Sequence, residues 1–151
     1  MNYLTCPLLT YEEIKTLKEN LSSNDSDWED GKKTAGSLAS KVKNNLQLSR
    51  NSDSSKKNAD FIVKKLLTST LIKSFALPRK IHGIMFTKSS VGMRYGRHVD
   101  NAYMSSGRAD LSFSIFLNKK NSYEGGDLVV ENINTENKFK LNQGEIIIYP
   151  S

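Results

Sequence analysis

The spacing of apolar residues along this chain changes once, at Pro78, and that change dictates helices first and short strands after. Upstream of Pro78 the spacing is helical. Thr10-Tyr11-Glu12-Glu13 reads as a capping box, with Thr10 as N-cap and Glu13 three residues on. Ile14, Leu17 and Leu21 follow on one face, and Ser22-Ser23-Asn24-Asp25 supplies the stop. Trp28 to Leu48 is mixed, with Val42, Leu46 and Leu48 suggesting a short strand, and Ser49 to Ser55 reads as a polar loop. Ala59, Ile62, Val63, Leu66, Leu67 and Leu71 form an amphipathic helix. Downstream the period falls to about two. Leu77–Thr87, Met93–Asp100, Leu111–Leu117, Asp127–Glu131, Lys138–Leu141 and Glu145–Tyr149 read as strands. Gly125-Gly126, Asn132–Asn137 and Asn142-Gln143-Gly144 read as turns. The expectation is one α+β domain, mostly helical over residues 1–76 and β-structured over 77–151.

Composition removes several classes of function. A length of 151 residues is enough for a real core, and no apolar run approaches a membrane span. Met1 to Thr10 lacks the basic-then-apolar layout of a signal peptide. The single cysteine, Cys6, has no partner for an intramolecular disulfide and no nearby base in sequence, so it reads as a small hydrophobe in a reducing, cytoplasmic setting. The net charge is +6, with 14 basic and 9 acidic residues in the first 80 positions and 8 against 7 in the rest. Those lysines are scattered among acids without an Arg/aromatic stripe, which argues against nucleic acid as a partner.

His98-Val99-Asp100 carries the chemistry. In a strand, residues two apart share a face, so an imidazole and a carboxylate would stand side by side. That is two thirds of the 2-His-1-carboxylate triad that holds non-haem Fe(II), although the same pair also occurs as an ordinary surface pair. The only other histidine, His82, reads as structural. Tyr95, three before His98, is expected to face away by alternation and to pack in the core. Gly125-Gly126 lies between strands and reads as a turn rather than a phosphate loop.

Six ordered segments carry a resemblance: Trp28-Glu29-Asp30-Gly31 with Thr34-Ala35-Gly36; Val42-Lys43-Asn44-Asn45-Leu46-Gln47-Leu48; Gly96-Arg97-His98-Val99-Asp100-Asn101-Ala102; Asp110-Leu111-Ser112; Tyr123-Glu124-Gly125-Gly126-Asp127-Leu128; and Gly144-Glu145 with Tyr149-Pro150-Ser151. The chain resembles the PKHD-type hydroxylases, bacterial and phage Fe(II)/2-oxoglutarate dioxygenases. The resemblance implies a double-stranded β-helix, or jelly roll, with helices packed outside. It implies Fe(II) on His98 and Asp100, 2-oxoglutarate and dioxygen as co-substrates, and ascorbate as reductant. The reaction it implies is oxidative decarboxylation to succinate and CO2 coupled to hydroxylation of a substrate the sequence does not name.

Family members supply a distal histidine just after the segment matching Tyr149-Pro150-Ser151, and an arginine beyond it binds 2-oxoglutarate. The resemblance therefore implies a member truncated before both, with its last core strands missing and little turnover expected. Ile146-Ile147-Ile148-Tyr149 is apolar on both faces, so a chain stopping at Ser151 is expected to leave that strand uncovered at an edge. Ser89-Ser90 stands where an aromatic commonly lies near the co-substrate. Asn101 reads either as a residue orienting the iron ligands or as a cap on the strand end. Asn44, Asn45 and Gln47, with Lys43, read as a substrate-cleft lining or a turn network. Arg97, with Arg94, reads as the rim of a mouth favouring an acidic substrate or as plain exposed arginine. Two other functions remain open on the sequence: a catalytically inactive β-helix interaction module, and a cupin-like metal protein that uses no 2-oxoglutarate. Oligomeric state is not legible.

Overall fold

The computed structural model describes residues 3–104 and 107–151. In chain order the elements are β1 (Leu4–Pro7), α1 (Tyr11–Ser22), β2 (Trp28–Asp30), β3 (Lys43–Asn44), β4 (Leu46–Leu48), α2 (Asp53–Thr68), α3 (Thr70–Ala76), β5 (Thr87–Lys88), β6 (Arg94–Tyr95), β7 (Tyr103–Met104), β8 (Gly107–Arg108), β9 (Leu111–Ile115), β10 (Leu128–Glu131), β11 (Glu136–Phe139) and β12 (Glu145–Pro150). The mixture of helix and sheet matches the sequence reading. No helix among the described residues is long and apolar enough to cross a membrane.

The helices begin where side chains can satisfy their free N–H groups. The Thr10 hydroxyl accepts from Glu13 N (3.3 Å), and the Glu13 carboxylate accepts from Thr10 N (2.9 Å). Glu13 also pairs with Lys65 of α2 at 2.9 Å. The Thr10 backbone bond, and then Lys65, hold the Glu13 carboxyl below its usual range. The second helix departs from the sequence reading at both ends. It starts at Asp53, inside the expected loop, because Ser52 accepts from Ser55 N. It breaks at Ser69, whose hydroxyl turns to accept from Ile72 N and so caps α3 instead of continuing α2.

β12 is the centre of the fold. It pairs antiparallel with β1 on one side and β9 on the other. The expectation of an uncovered edge strand is therefore wrong: the N-terminal strand, invisible to the periodicity argument, covers β12. Ile146 lies between Cys6 and Ile115, and Ile148 between Leu4 and Phe113. That face packs on Ile14, Leu17 and Leu21 of α1, Ile62 and Leu66 of α2 and Ile72 of α3. Cys6 is buried there, as expected of a small hydrophobe, and burial raises its thiol pKa, with Glu145 adding to the effect. Gly144, at φ +88, leads into β12; a Cβ there would lie 2.5 Å from the Leu9 carbonyl oxygen. Only glycine allows the approach through which Leu8 N and Leu9 N donate to Gly144 O.

The other face of the same sheet is mixed, with Ile147 fully buried among polar neighbours. Alternation in Leu111-Ser112-Phe113-Ser114-Ile115 puts both serines opposite the helices, beside Thr5, Ile147 and Tyr149. Two of the expected strands shrink to two-residue ladders, and the expected Lys138–Leu141 strand lies two residues earlier, at Glu136–Phe139. Of Leu77–Thr87 only Thr87 is in a ladder, and of Met93–Asp100 only Arg94-Tyr95. These segments are anchored at single points instead, as where Leu48 N donates to Phe86 O and Gly96 N to Val42 O. β10 and β11 form a hairpin, and the expected Asn132–Asn137 turn narrows to Asn132–Thr135, held by the Asn132 side chain.

Candidate functional site

His98 and Asp100 lie outside any strand, so β alternation is not what brings them together. The segment Gly96–Asp100 leaves β6 and reaches the central sheet at β9, where Asp100 accepts from Ser112. His98 Nε2 and Asp100 Oδ1 nonetheless stand 3.2 Å apart, with their side chains 24% and 37% exposed.

Three contacts fix this pair. His98 Nδ1 donates to Gly96 O at 2.8 Å. A carbonyl only accepts, so Nδ1 carries the proton of that bond, and Nε2 is the ring nitrogen that faces Asp100. Gly96 is held in turn by its N–H bond to Val42 O (2.8 Å), and a Cβ at Gly96 would come within 2.9 Å of Val42 Cβ. On the other side Ser112 Oγ donates to Asp100 Oδ2 at 2.7 Å and lies 2.9 Å from Ser151 Oγ. Ser112 therefore occupies one carboxylate oxygen and leaves the other facing the imidazole. The third contact is Tyr95, whose ring stacks on the His98 imidazole with centroids 3.7 Å apart and planes 11° apart. The expectation that Tyr95 faces away fails because the turn after β6 breaks the alternation.

Asp100 marks the electrostatics of its surroundings. Burial first, and the Asp100 charge second, raise the Tyr95 phenol. The same two causes push Tyr149 up to about 12, against a Ser114 hydrogen bond that lowers it. Both phenols beside the carboxylate are thus kept neutral over the ordinary pH range.

The remaining sequence candidates scatter. Asn101 is exposed and has no hydrogen-bond partner among the described residues. Asn44 is exposed opposite Arg94. Asn45 and Gln47 are buried, and the Gln47 carbonyl accepts from Thr34 Oγ1 (2.6 Å) and from Lys43 Nζ (3.2 Å). Asn45 Oδ1 and Gln47 Nε2 are buried without a hydrogen-bond partner among the described residues. Arg97 pairs with Glu131 at 2.6 Å, with its side chain 86% exposed. The His82 ring lies near Gly107, where an added Cβ would meet its Cε1 at 3.8 Å. No group of three His, Cys, Asp or Glu arranged to hold a metal occurs among the described residues. Ser112 and Tyr149 were not singled out as site residues; the serine alternation of β9 was the available signal, since it puts polar side chains on one sheet face.

Comparison with known proteins finds relatives over the whole chain. Residues 84–151 match the model of the 2OG-Fe(II) oxygenase superfamily. Over its full length the chain is 68% identical to a PKHD-type hydroxylase of Prochlorococcus marinus strain AS9601, spanning 68% of that protein. It is 66% identical to the PKHD-type hydroxylase of strain MIT 9301 and 52% identical to that of strain MIT 9313, again spanning 68% of each.

Proposed function

Since the chain belongs to the PKHD-type hydroxylases, a family whose 2OG-Fe(II) oxygenase model it matches over residues 84–151, we propose that His98 Nε2 and Asp100 Oδ1 bind the Fe(II) that the family implies. One observation carries this reading. An imidazole nitrogen and a carboxylate oxygen face each other at 3.2 Å, while the far ring nitrogen is tied to Gly96 O and the far carboxylate oxygen to Ser112 Oγ, so the two remaining donor atoms point at one place. The spacing fits a metal. Two donors about 2 Å from one ion and about a right angle apart stand about 3 Å from each other. Nitrogen plus carboxylate oxygen is also a donor set suited to iron.

Fe(II) so held supplies the dioxygen chemistry that couples decarboxylation of 2-oxoglutarate to hydroxylation of a substrate. The chain's own residues do the positioning. Gly96 O sets the tautomer and orientation of His98. Ser112 keeps Asp100 to one donor oxygen, so coordination positions stay open for 2-oxoglutarate, dioxygen and any further protein donor. Tyr95 and Tyr149 stay neutral beside Asp100 and leave its charge to the metal. Ascorbate serves as the reductant that keeps iron ferrous, and the surrounding framework is a double-stranded β-helix of which the β1-β12-β9 sheet is one wall.

Anaerobic titration with Fe(II) tests the assignment. Substituting either His98 or Asp100 by alanine is expected to weaken binding by about tenfold or more. Equal affinity in the parent and both variants refutes it. Iron-dependent succinate formation separates an oxygenase from the interaction-module reading, which predicts none.

A further inference from the structure

We propose that Tyr95 and Lys43 are positioning residues that hold the His98 imidazole in the plane metal binding requires; this rests on the assignment of His98 as a ligand. Lys43 and Tyr95 are direct cross-strand partners in the β3–β6 ladder. Lys43 Nζ stands over the Tyr95 ring, 4.9 Å from its centroid, and the His98 ring lies on Tyr95 at 3.7 Å. A continuous line of contacts thus runs from a buried ammonium to the imidazole.

Two features of this line need a cause. The first is the stack itself. Rings prefer offset or edge-on arrangements because two π faces repel when nearly superposed. At 3.7 Å and 11° the Tyr95 and His98 rings are stacked face to face, closer than the usual centroid separation of aromatic pairs. A cation over the Tyr95 ring draws on its electron-rich face and lessens that repulsion. The second is Lys43. It is 2% exposed, and its hydrogen-bond partners are neutral, Gln47 Oε1 at 3.2 Å and Thr34 Oγ1 at 3.4 Å. No carboxylate pairs with it among the described residues, and burial lowers its pKa, as does Arg50, against an opposing effect of Asp30. A buried charge with only neutral partners costs stability, so an apolar side chain of similar volume is the more stable occupant of such a position. The cation-to-ring contact gives the charge a role that packing does not.

The division of labour is geometric. The Gly96 carbonyl fixes the imidazole by its edge, and Tyr95 fixes it by its face. Together they leave Nε2 one direction, toward Asp100 Oδ1.

The test uses Co(II) as the probe, followed by its visible absorption, with His98 ring resonances recorded on the metal-free protein. Tyr95→Phe keeps the ring and is expected to bind within about twofold of the parent, whereas Tyr95→Leu is expected to bind about tenfold more weakly. Lys43→Met is expected to melt no lower than the parent yet bind Co(II) several-fold more weakly, a split that a purely structural lysine would not give. In the metal-free protein Tyr95→Leu should move the His98 ring protons downfield as the ring current is lost. Parent-like binding in Tyr95→Leu, or an equal loss in Tyr95→Phe, overturns the role of Tyr95. Parent-like binding in Lys43→Met overturns that of Lys43, and this variant together with Tyr95→Phe decides the matter if Tyr95→Leu does not fold. A parent that binds no more tightly than His98→Ala refutes the ligand assignment instead, and the ring-proton shift still reports on the stack.

Discussion

Gly96→Ala separates the two demands placed on the turn that presents His98. Gly96 is not in the left-handed region, so alanine can adopt its backbone without strain, and by itself the change would stabilise the chain by about 0.4–1 kcal/mol through the unfolded state. Space decides against it. The new Cβ would sit 2.9 Å from Val42 Cβ and 3.4 Å from Val42 O, across the gap bridged by the Gly96 N to Val42 O bond. Neither atom lies at the end of a flexible side chain, so the two segments must part. Overpacking of this kind costs about 1–3 kcal/mol. The net expectation, combining both ranges, is a loss of between about 0 and 2.6 kcal/mol. The same displacement moves Gly96 O from His98 Nδ1, and Co(II) affinity should fall by about tenfold, as for loss of an outer-shell partner. Urea denaturation at constant slope measures the first quantity and metal titration the second.

A double-mutant cycle makes the reasoning refutable. The closest contact is with Cβ, which Val42→Ala retains and Val42→Gly removes. Favourable coupling to Gly96→Ala should therefore appear with Val42→Gly and not with Val42→Ala. A Gly96→Ala protein more stable than the parent, or equal rescue by the two Val42 variants, refutes the steric account.

Three further outcomes are expected. The Tyr149 phenol, pushed up to about 12, holds its proton longer folded than unfolded, so it contributes fully below about pH 10 and loses about 2–3 kcal/mol of stability as pH rises from about 10 to 12. Alkaline denaturation of Tyr149→Phe should be flatter over that window, and identical profiles count against the buried phenol. Ile146→Ala removes a fully buried side chain from the central strand and should cost about 2–5 kcal/mol, well above Val129→Ala on the half-exposed hairpin, as read from denaturant midpoints. Thr10→Ala breaks the capping box and should cost about 1 kcal/mol by the same assay, with no change in metal affinity.

The capping box of α1, its buried face of Ile14, Leu17 and Leu21, and the hairpin around Asn132 were legible in the sequence, because each depends on neighbours within a few residues. The break at Ser69 was not, since a serine in a helical pattern caps or continues depending on where the next segment packs. The pairing of His98 with Asp100 was read correctly from spacing but for the wrong reason, since a turn and not a strand presents them.

The capped helix α1, the membership of His98 and Asp100 in one constellation and the hydrophobic nature of β12 were thus determined by the sequence alone, because they follow from local spacing and from residue type. Tertiary structure alone decided that β1 covers β12, that Ser112 and Tyr149 face Asp100, and that Lys43 reaches His98 through Tyr95. Those contacts join residues far apart in the chain, or separated by a turn whose direction no periodicity encodes. They are selected by burial of the whole apolar surface at once, a global condition that no single segment of sequence carries.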